Sequence, residues 1–330
     1  MGRPPRSGFL MSKVLITGIA GFIGSHLADS LVGQGHQVVG IDNLSTGRKE
    51  NLSALPEECF TFGDVKDINL LEKLVSGCDI IYHFAASVGV QLVCRHPAPA
   101  LETNLSGTVN IFKTAAQYGK KVFLASSSEV YGKLDKRPLA EDDDLMLGPP
   151  TISRWGYGCS KLAGEYLGLG YYKETGLPVI IGRLFNVCGP GQTGCYGMVL
   201  PRFVDSALRG EPITVYGDGL QTRSFIHITD AVAMVMRLMA VPEAVGKVYN
   251  IGNPGQVTIN RLAELVREKS GSRSVIINKS YHEVYGKDFE DMRCRVPDIS
   301  RIKKVIDFVP RISVEETVSN VIDWWKDRIK

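Results

Sequence analysis

A short apolar run followed by three evenly spaced glycines constrains this chain more than any other feature of its sequence. Residues 14–16 have the composition of a strand that is buried on both faces, and Gly18, Gly21 and Gly24 follow at intervals of three. Glycine at these places lets the backbone turn sharply, lets a diphosphate approach main-chain N–H groups and lets the next helix pack against its strand. The stretch predicts a strand, a turn and a helix that bind a dinucleotide.

A second apolar run predicts which dinucleotide is preferred. Residues 38–41 form this run, and Asp42 follows it, 18 residues beyond Gly24. This is close to the spacing of about 20 expected for a ribose-binding acid. A carboxylate accepts hydrogen bonds from a free ribose 2′-hydroxyl and repels a 2′-phosphate, which favours NAD over NADP. Arg48 lies near enough in sequence to leave NADP open as the alternative.

Composition bounds the class of protein. The chain has 330 residues, 44% of them hydrophobic and 22% charged, and its formal net charge is +3. This balance is ordinary for a globular protein and implies neither nucleic acid nor an anionic membrane as a partner. No apolar run approaches a membrane span. Residues 1–11 are predicted to be a disordered extension.

The cysteines and histidines do not group as metal ligands do. There is no Cys-x-x-Cys pair and no His-x-x-x-His pair, so no metal site is predicted. Seven cysteines, scattered and odd in number, are typical of reduced thiols in a cytoplasm.

The first half of the chain alternates apolar strand-like runs with helical stretches. Repeated βαβ units predict an α/β fold with a doubly wound, parallel Rossmann sheet. The predicted strands are 14–17, 38–42, 59–62, 80–84, 121–125 and 179–184. The predicted helices are 70–75, 104–118, 228–239, 259–269 and 314–328. Ligands bind beyond the carboxyl ends of such strands.

The chain is predicted to have two parts. Residues 12–185 form the NAD-binding domain. After them the sequence becomes rich in Gly- and Pro-containing loops with few regular strands. Residues 186–330 are therefore predicted to be a smaller domain that mainly binds substrate, with some segments returning to the first domain.

Tyr157 and Lys161 form the most informative catalytic pair. Residues four apart share one face of a helix, so the phenol and the ammonium are predicted to meet in one site. A nearby cation, together with a positive nicotinamide ring, is expected to lower the tyrosine pKa. Tyr157 then takes a proton from a substrate hydroxyl, and Ser127 is the serine predicted to hold that hydroxyl.

With these residues in place, the chain resembles the extended short-chain dehydrogenase/reductase family, which contains nucleotide-sugar epimerases, dehydratases and decarboxylases. The resemblance covers nearly all of residues 12–330. Its motifs are Thr17-Gly-x-x-Gly-Phe-Ile-Gly24, Asp64-Val65, His83-Phe-Ala-Ala86, Ser126–Gly132, Tyr157-x-x-x-Lys161, Arg183-Leu-Phe-Asn186 and Arg223-Ser-Phe followed by Asp230.

The resemblance implies roles for individual residues. Asp64 and Val65 would contact adenine, Lys161 would also hold the nicotinamide ribose, and Asn186 and Arg223 would hold the diphosphate of a sugar nucleotide. The candidate NAD-binding residues are Gly18, Gly21, Phe22, Ile23, Gly24, Asp42, Asn43, Asp64, Val65, Phe84, Ala85, Ala86, Tyr157 and Lys161. The candidate substrate-binding residues are Ser128, Asn186, Arg223 and Arg295.

Two stretches are similar to UDP-glucuronate decarboxylases. The first is Ser127-Ser-Glu129-Val-Tyr-Gly. The second is residues 285–299, and the resemblance also includes residues 148–157. Carried over, Glu129 and Arg295 would handle the substrate carboxylate and reprotonate the enolate. A β-keto acid loses carbon dioxide readily once C4 is oxidised, so the protein need only orient the carboxylate and supply a proton.

Other reactions of the family stay open. The stretch from Cys188 to Gln192 lacks an arginine common in decarboxylases and looks more like 4-epimerases of neutral hexoses. Dehydratases also carry a glutamate at the position of Glu129, although with aspartate in place of Ser128. Decarboxylation is ranked first, 4-epimerisation second and dehydration third, and a catalytically silent NAD-binding regulator is the non-enzymatic alternative. The resemblance also suggests a homodimer built from the helix with Tyr157 and the helix near 104–118.

Overall fold

A seven-stranded sheet forms the centre of the protein. The computed structural model describes residues 11–194, 197–285 and 290–328. The sheet strands are β1 (Lys13–Thr17), β2 (Gln37–Asp42), β3 (Phe60–Phe62), β4 (Ile80–His83), β5 (Lys121–Ser127), β6 (Val179–Leu184) and β11 (Lys247–Ile251). All neighbouring pairs are parallel, and the spatial order is β11-β6-β5-β4-β1-β2-β3. This is the doubly wound Rossmann fold that the sequence predicts.

Helices cover both faces of the sheet. They are α1 (Phe22–Gly33), α2 (Ile68–Ser76), α3 (Val90–Arg95), α4 (Pro97–Tyr118), α5 (Arg154–Thr175), α6 (Val199–Leu208), α7 (Ile228–Ala240), α8 (Ile259–Ser270), α9 (Tyr281–Tyr285), α10 (Ser300–Ile306) and α11 (Val314–Lys326). Val14 and Ile16 of β1 pack with residues of α1, α7 and α10, whereas Leu15 packs with α2, α4 and α5. Alternate residues of a strand point to opposite faces, so an unbroken apolar run is needed to bury both.

Local sequence signals fix several helix ends. Side-chain oxygens of Asp67, Thr258 and Ser313 accept hydrogen bonds from main-chain N–H groups at the starts of α2, α8 and α11. The helices α4 and α5 end at Gly119 and Gly176, both with positive φ. Asp67 follows β3 at the carboxyl edge of the sheet, whereas Gly119 and Gly176 precede β5 and β6 at its amino edge.

The six strands predicted from the sequence are confirmed to within two residues at each end. The predicted helix 104–118 is confirmed but begins earlier, at Pro97, where the missing N–H and fixed φ of proline suit a first helical turn. The seventh strand, β11, was not predicted. The side chain of its fourth residue, Asn250, is fully buried and donates to Leu139 O at 2.9 Å and Asp298 O at 3.1 Å.

The remaining strands are short. They are β7 (Val187–Cys188), β8 (Ile213–Tyr216), β9 (Thr222–Arg223), β10 (Ile226–His227), β12 (Val257–Thr258), β13 (Ile276–Lys279) and β14 (Cys294–Arg295). A separate apolar cluster joins α6, α8 and α11 beside them. The segments 228–240 and 247–251 instead pack with the large sheet. In the described ranges, no helix is long and apolar enough to cross a membrane.

Candidate active site

The turn between β1 and α1 has no room for side chains. Gly18 has φ +75°, and a Cβ atom there would lie 2.8 Å from Ala85 N. A Cβ on Gly24 would lie 2.1 Å from Gly18 O. Gly21 is the N-cap of α1 and brings no side chain to it, so the first N–H groups of the helix can face an anion. This cradle fits the diphosphate of NAD.

Asp42 ends β2 beside this turn. Its carboxylate accepts hydrogen bonds from Ala20 N at 3.0 Å and Leu44 N at 2.8 Å. Burial raises the pKa of Asp42, and the main-chain hydrogen bonds oppose that shift. A carboxylate can accept about four hydrogen bonds, so Asp42 keeps acceptor capacity for a ribose hydroxyl. Arg48 lines the same cavity.

Replacing Gly18 by alanine is expected to cost about 1–2 kcal/mol from the positive φ alone, with the contact to Ala85 in addition. NAD binding is expected to weaken by at least about tenfold, because the turn must shift to make room. Titration calorimetry with NAD and a denaturant unfolding curve would measure both effects. Gly33→Ala is the matched control: its Cβ would meet nothing within 4 Å, and NAD affinity should not change.

One continuous cavity of about 470 Å³ runs from the glycine turn to the second part of the chain. Nearly every residue predicted from the sequence to form the site lines it. These residues are Gly18, Gly21, Phe22, Ile23, Gly24, Asp42, Asn43, Val65, Phe84, Ala85, Ala86, Ser127, Ser128, Glu129, Tyr157, Lys161, Asn186, Arg223 and Arg295. Asp64 is not among the lining residues; its carboxylate accepts a hydrogen bond from Asn43 at 3.0 Å.

Tyr157, Lys161 and Ser127 meet at the carboxyl end of β5. The Lys161 ammonium lies 5.9 Å from the Tyr157 ring centre and donates to Ala125 O at 2.9 Å. Ser127 forms a hydrogen bond with Tyr157. Burial lowers the pKa of Lys161 to about 8, against the opposing charge of Glu165, so Lys161 is mostly protonated at neutral pH.

The expected lowering of the Tyr157 pKa does not occur in the protein alone. Burial raises the pKa of Tyr157, the charge of Glu129 raises it further, and the hydrogen bond with Ser127 offsets only part of this. Lys161 donates to Ala125 O and is not among the groups that shift the Tyr157 pKa. The expected lowering includes the charge of the nicotinamide ring, so it stays a prediction for the NAD complex, because burial outweighs nearby cations in the free protein.

Glu129 lies at the centre of a charged cluster. Its carboxylate pairs with the Arg295 guanidinium on one side and with Arg154 Nη2, at 3.4 Å, on the other. Burial acts to raise the pKa of Glu129, but the two arginines outweigh it and hold the pKa below its usual range. Glu129 is therefore a carboxylate in the free protein.

Asp291 lies at the centre of a second set of ion pairs. It accepts from Arg154 Nη2 at 2.9 Å, from Arg223 Nη2 at 2.8 Å and from the Tyr281 hydroxyl at 2.7 Å. Burial acts to raise the pKa of Asp291, but Arg223 and Arg154 hold it below its usual range. The two acidic groups are thus joined by one shared arginine, Arg154.

Asn186 connects this cluster to the end of β6. Its side-chain oxygen accepts from Arg295 Nη2 at 2.8 Å, and its amide donates to Ser224 O at 2.6 Å. The backbone of Asn186 has φ +29°, a conformation that asparagine tolerates better than most residues. Asn186 and Arg295 are therefore held in one polar chain that reaches Glu129.

Among the cavity-lining residues to which sequence reasoning assigned no role are three members of the charged cluster, Arg154, Asp291 and Tyr281. Arg154 precedes Tyr157 by three positions on α5, so it shares a helix face with the predicted base, and this spacing was a usable signal. Asp291 and Tyr281 come from a distant segment and show no such local pattern. Residues 286–289 of the decarboxylase-like stretch, and residues 1–10, lie outside the described residues.

The fold and the site together define an α/β enzyme that uses a dinucleotide. The chain belongs to the NAD dependent epimerase/dehydratase family, whose family model matches residues 14–252. NAD is the cofactor of that family, in agreement with the preference inferred from Asp42.

Similar proteins carry out related reactions. The chain is 38% identical to a UDP-N-acetyl-alpha-D-glucosaminuronate decarboxylase from Bacillus cytotoxicus, over 96% of this chain and 99% of that protein. It is 37% identical to UDP-glucuronic acid decarboxylase 1 of Arabidopsis thaliana, over 96% of this chain and 70% of that protein. A solved UDP-glucose 4-epimerase from Thermotoga maritima, with UDP-glucose, matches with a TM-score of 0.88 at 28% identity, over 96% of this chain and 100% of that chain.

Proposed function

We propose that this protein is an NAD-dependent decarboxylase of a UDP-hexuronate, with UDP-glucuronate as the first candidate substrate. The observation that carries the proposal is the pair of Glu129 and Arg295 within the cavity that also contains Tyr157. The names of the relatives support a 6-carboxylate substrate. One relative acts on a 2-acetamido sugar, so UDP-N-acetylglucosaminuronate is the second candidate.

Tyr157 would act as the base for the C4 hydroxyl. Bound NAD+ supplies a hydride acceptor, which makes oxidation of C4 possible. The Tyr157 phenol would take the hydroxyl proton, Ser127 would hold the hydroxyl, and the Lys161 charge would favour the phenolate. Lys161 is buried and Tyr157 and Ser127 are half-buried, which would limit the access of bulk water to the reacting carbon.

Glu129 and Arg295 would handle the carboxylate end of the sugar. Once C4 is a ketone, the C5–C6 bond breaks, carbon dioxide leaves, and the electron pair becomes an enolate at the C4 oxygen. A proton must then be delivered to C5. Arg295 would orient the carboxylate with its planar guanidinium, and Glu129 would supply the proton to C5, which requires that it first acquire one. Return of the hydride to C4, with a proton from Tyr157 to the C4 oxygen, would then regenerate the alcohol and leave no net redox change.

A 4-epimerase is the second candidate function. The stretch from Cys188 to Gln192 is similar to that of neutral-hexose epimerases, and the resemblance to a UDP-glucose 4-epimerase structure favours it. In that case Arg295 would bind the diphosphate. Dehydration and a silent NAD-binding role rank below both.

Incubation with UDP-glucuronate, UDP-N-acetylglucosaminuronate, UDP-glucose and UDP-N-acetylglucosamine, each alone, would test the proposal. Mass spectrometry and proton NMR of the products distinguish the outcomes. Loss of the carboxyl mass from either uronate supports decarboxylation and identifies the C2 substituent. An unchanged mass with inverted C4 configuration in any of the four would make the protein an epimerase.

We propose that residues 186–330 mainly bind the sugar nucleotide. We also propose that the protein is cytoplasmic and that it forms a homodimer, in which α4 and α5 of the two copies make the contact. Leu105, Val109 and Tyr166 on these helices are 39%, 44% and 71% exposed. The small residue Gly164 faces Thr108 instead, so it serves the contact between α4 and α5 within one chain.

Val109→Asp is expected to shift the protein from dimer to monomer, because a charge would be buried at the proposed interface. Sedimentation velocity would measure the change. Val275→Asp, at a valine that is 60% exposed and far along the chain, should leave the dimer intact. A wild-type protein that sediments as a monomer would contradict the proposal.

A further inference from the structure

Five charged side chains in the cavity form one alternating chain. The order is Arg295, Glu129, Arg154, Asp291 and Arg223, so that each carboxylate lies between two guanidiniums. The contact between Arg154 and Glu129, at 3.4 Å, is longer than the contact between Arg154 and Asp291, at 2.9 Å. Arg154 is therefore already held more closely by Asp291.

This row of five ion-paired side chains carries one positive charge in excess, since three guanidiniums face two carboxylates. All five groups line the same cavity, and the two end members, Arg223 and Arg295, are open to competition by an incoming anion. A diphosphate that binds Arg223 leaves Asp291 with fewer partners. Asp291 then holds Arg154 more strongly and draws it away from Glu129.

We propose that binding of a nucleotide-sugar diphosphate shifts the arginine contacts away from Glu129, so that Glu129 takes up a proton from solvent, with Arg154 and Asp291 as positioning residues. The inference rests on the proposed function, because it assumes that a sugar nucleotide binds at Arg223 and Arg295. It explains how a glutamate that is ionised in the free protein becomes a proton donor.

The charges that face Glu129 agree with this. Arg154 and Tyr157 face it from α5, Arg295 faces it from β14, and Asp291 faces it from the preceding segment. Burial and Asp291 act to raise the Glu129 pKa, and the two arginines alone hold it down. When anions bind the arginines, burial and the charge of Asp291 raise the Glu129 pKa, and the carboxylate binds a proton.

Protonation of Glu129 has a second consequence at Tyr157. The negative charge of Glu129 is one of the causes that raise the Tyr157 pKa. A neutral Glu129 removes that cause, so substrate binding would make Tyr157 a better base at the same time as it makes Glu129 an acid. The two groups would be prepared for opposite roles by one event.

Proton uptake on ligand binding tests the inference without turnover of a uronate. UDP-glucose is the probe because its diphosphate diester does not titrate near neutral pH. Calorimetric titration of the NAD-bound protein in buffers of different ionisation enthalpy, between about pH 5 and pH 8, gives the protons taken up per bound ligand. We expect uptake by the wild-type protein, loss of that uptake in Glu129→Gln with binding retained, and reduced uptake in Asp291→Asn.

The controls separate the possible failures. Asp218→Asn removes a surface carboxylate that pairs with Arg293 at 2.7 Å, and uptake should be unchanged. Binding without proton uptake in the wild type, or equal uptake in Glu129→Gln, would overturn the inference and leave the proposed function standing. If UDP-glucose does not bind, the titration is repeated with UDP-glucuronate and the Tyr157→Phe variant, and failure of both ligands to bind would contradict both proposals. If Glu129→Gln does not fold, equal uptake by Asp291→Asn and wild type overturns the inference.

Discussion

Replacing Tyr157 by phenylalanine is expected to lower kcat by about 10²–10⁴-fold, the usual contribution of general acid–base catalysis. The substitution removes only the phenolic oxygen that takes the proton of the C4 hydroxyl. The ring stays beside Lys161, whose ammonium remains held by Ala125 O. Steady-state turnover of UDP-glucuronate and calorimetric NAD titration would measure the two expectations: lost activity and retained cofactor binding.

Tyr172→Phe is the control for this change. Tyr172 lies on the same helix, α5, but it is 41% exposed and does not line the cavity. Its loss of a hydroxyl should leave turnover unchanged. Undiminished activity in Tyr157→Phe would remove Tyr157 from the mechanism and, with it, the assigned role of Ser127.

Replacing Glu129 by glutamine is expected to slow formation of the UDP-pentose by about 10²-fold or more. Glutamine has nearly the same shape, but it can neither take up nor deliver the proton, and it leaves Arg295 and Arg154 without a carboxylate between them. Oxidation of C4 depends on Tyr157 and should continue. The Glu129 proton is needed only after carbon dioxide has left, so a decarboxylated 4-keto intermediate should accumulate ahead of the UDP-pentose, and borodeuteride quenching with mass spectrometry would detect it.

A neighbouring carboxylate provides the matched control. Glu290 pairs with Lys133 at 2.6 Å and accepts from Trp155 Nε1 at 3.0 Å, and it does not line the cavity. Glu290→Gln should keep nearly full activity. If Glu129→Gln formed the UDP-pentose at the wild-type rate, the glutamate would be only a structural partner of the arginines.

The sequence was most informative where function depends on local backbone geometry. The turn at Gly18 and Gly24 was predictable because close approach of backbone atoms excludes any Cβ. Tyr157 and Lys161 were predictable because helical spacing fixes which residues share a face. The carboxyl ends of the parallel strands then placed Asp42 and Ser127 beside them.

The parts that the sequence did not predict depend on contacts between distant segments. Asp291 reaches Arg154 across 137 residues, and no local pattern records such a contact. The direction of the Tyr157 pKa depends on burial by the completed fold. The strand β11 was not predicted, because the partners of its buried Asn250, Leu139 O and Asp298 O, come from elsewhere in the chain.

Reaction of the NAD-bound protein with UDP-glucuronate labelled with carbon-13 at C6 tests most directly whether the protein decarboxylates a UDP-hexuronate. We expect one labelled carbon dioxide for each UDP-sugar consumed, a UDP-pentose product, and no net gain of reduced nicotinamide. Retention of the label in a UDP-hexuronate with inverted C4 configuration would contradict it and would assign the same Tyr157 chemistry to an epimerase.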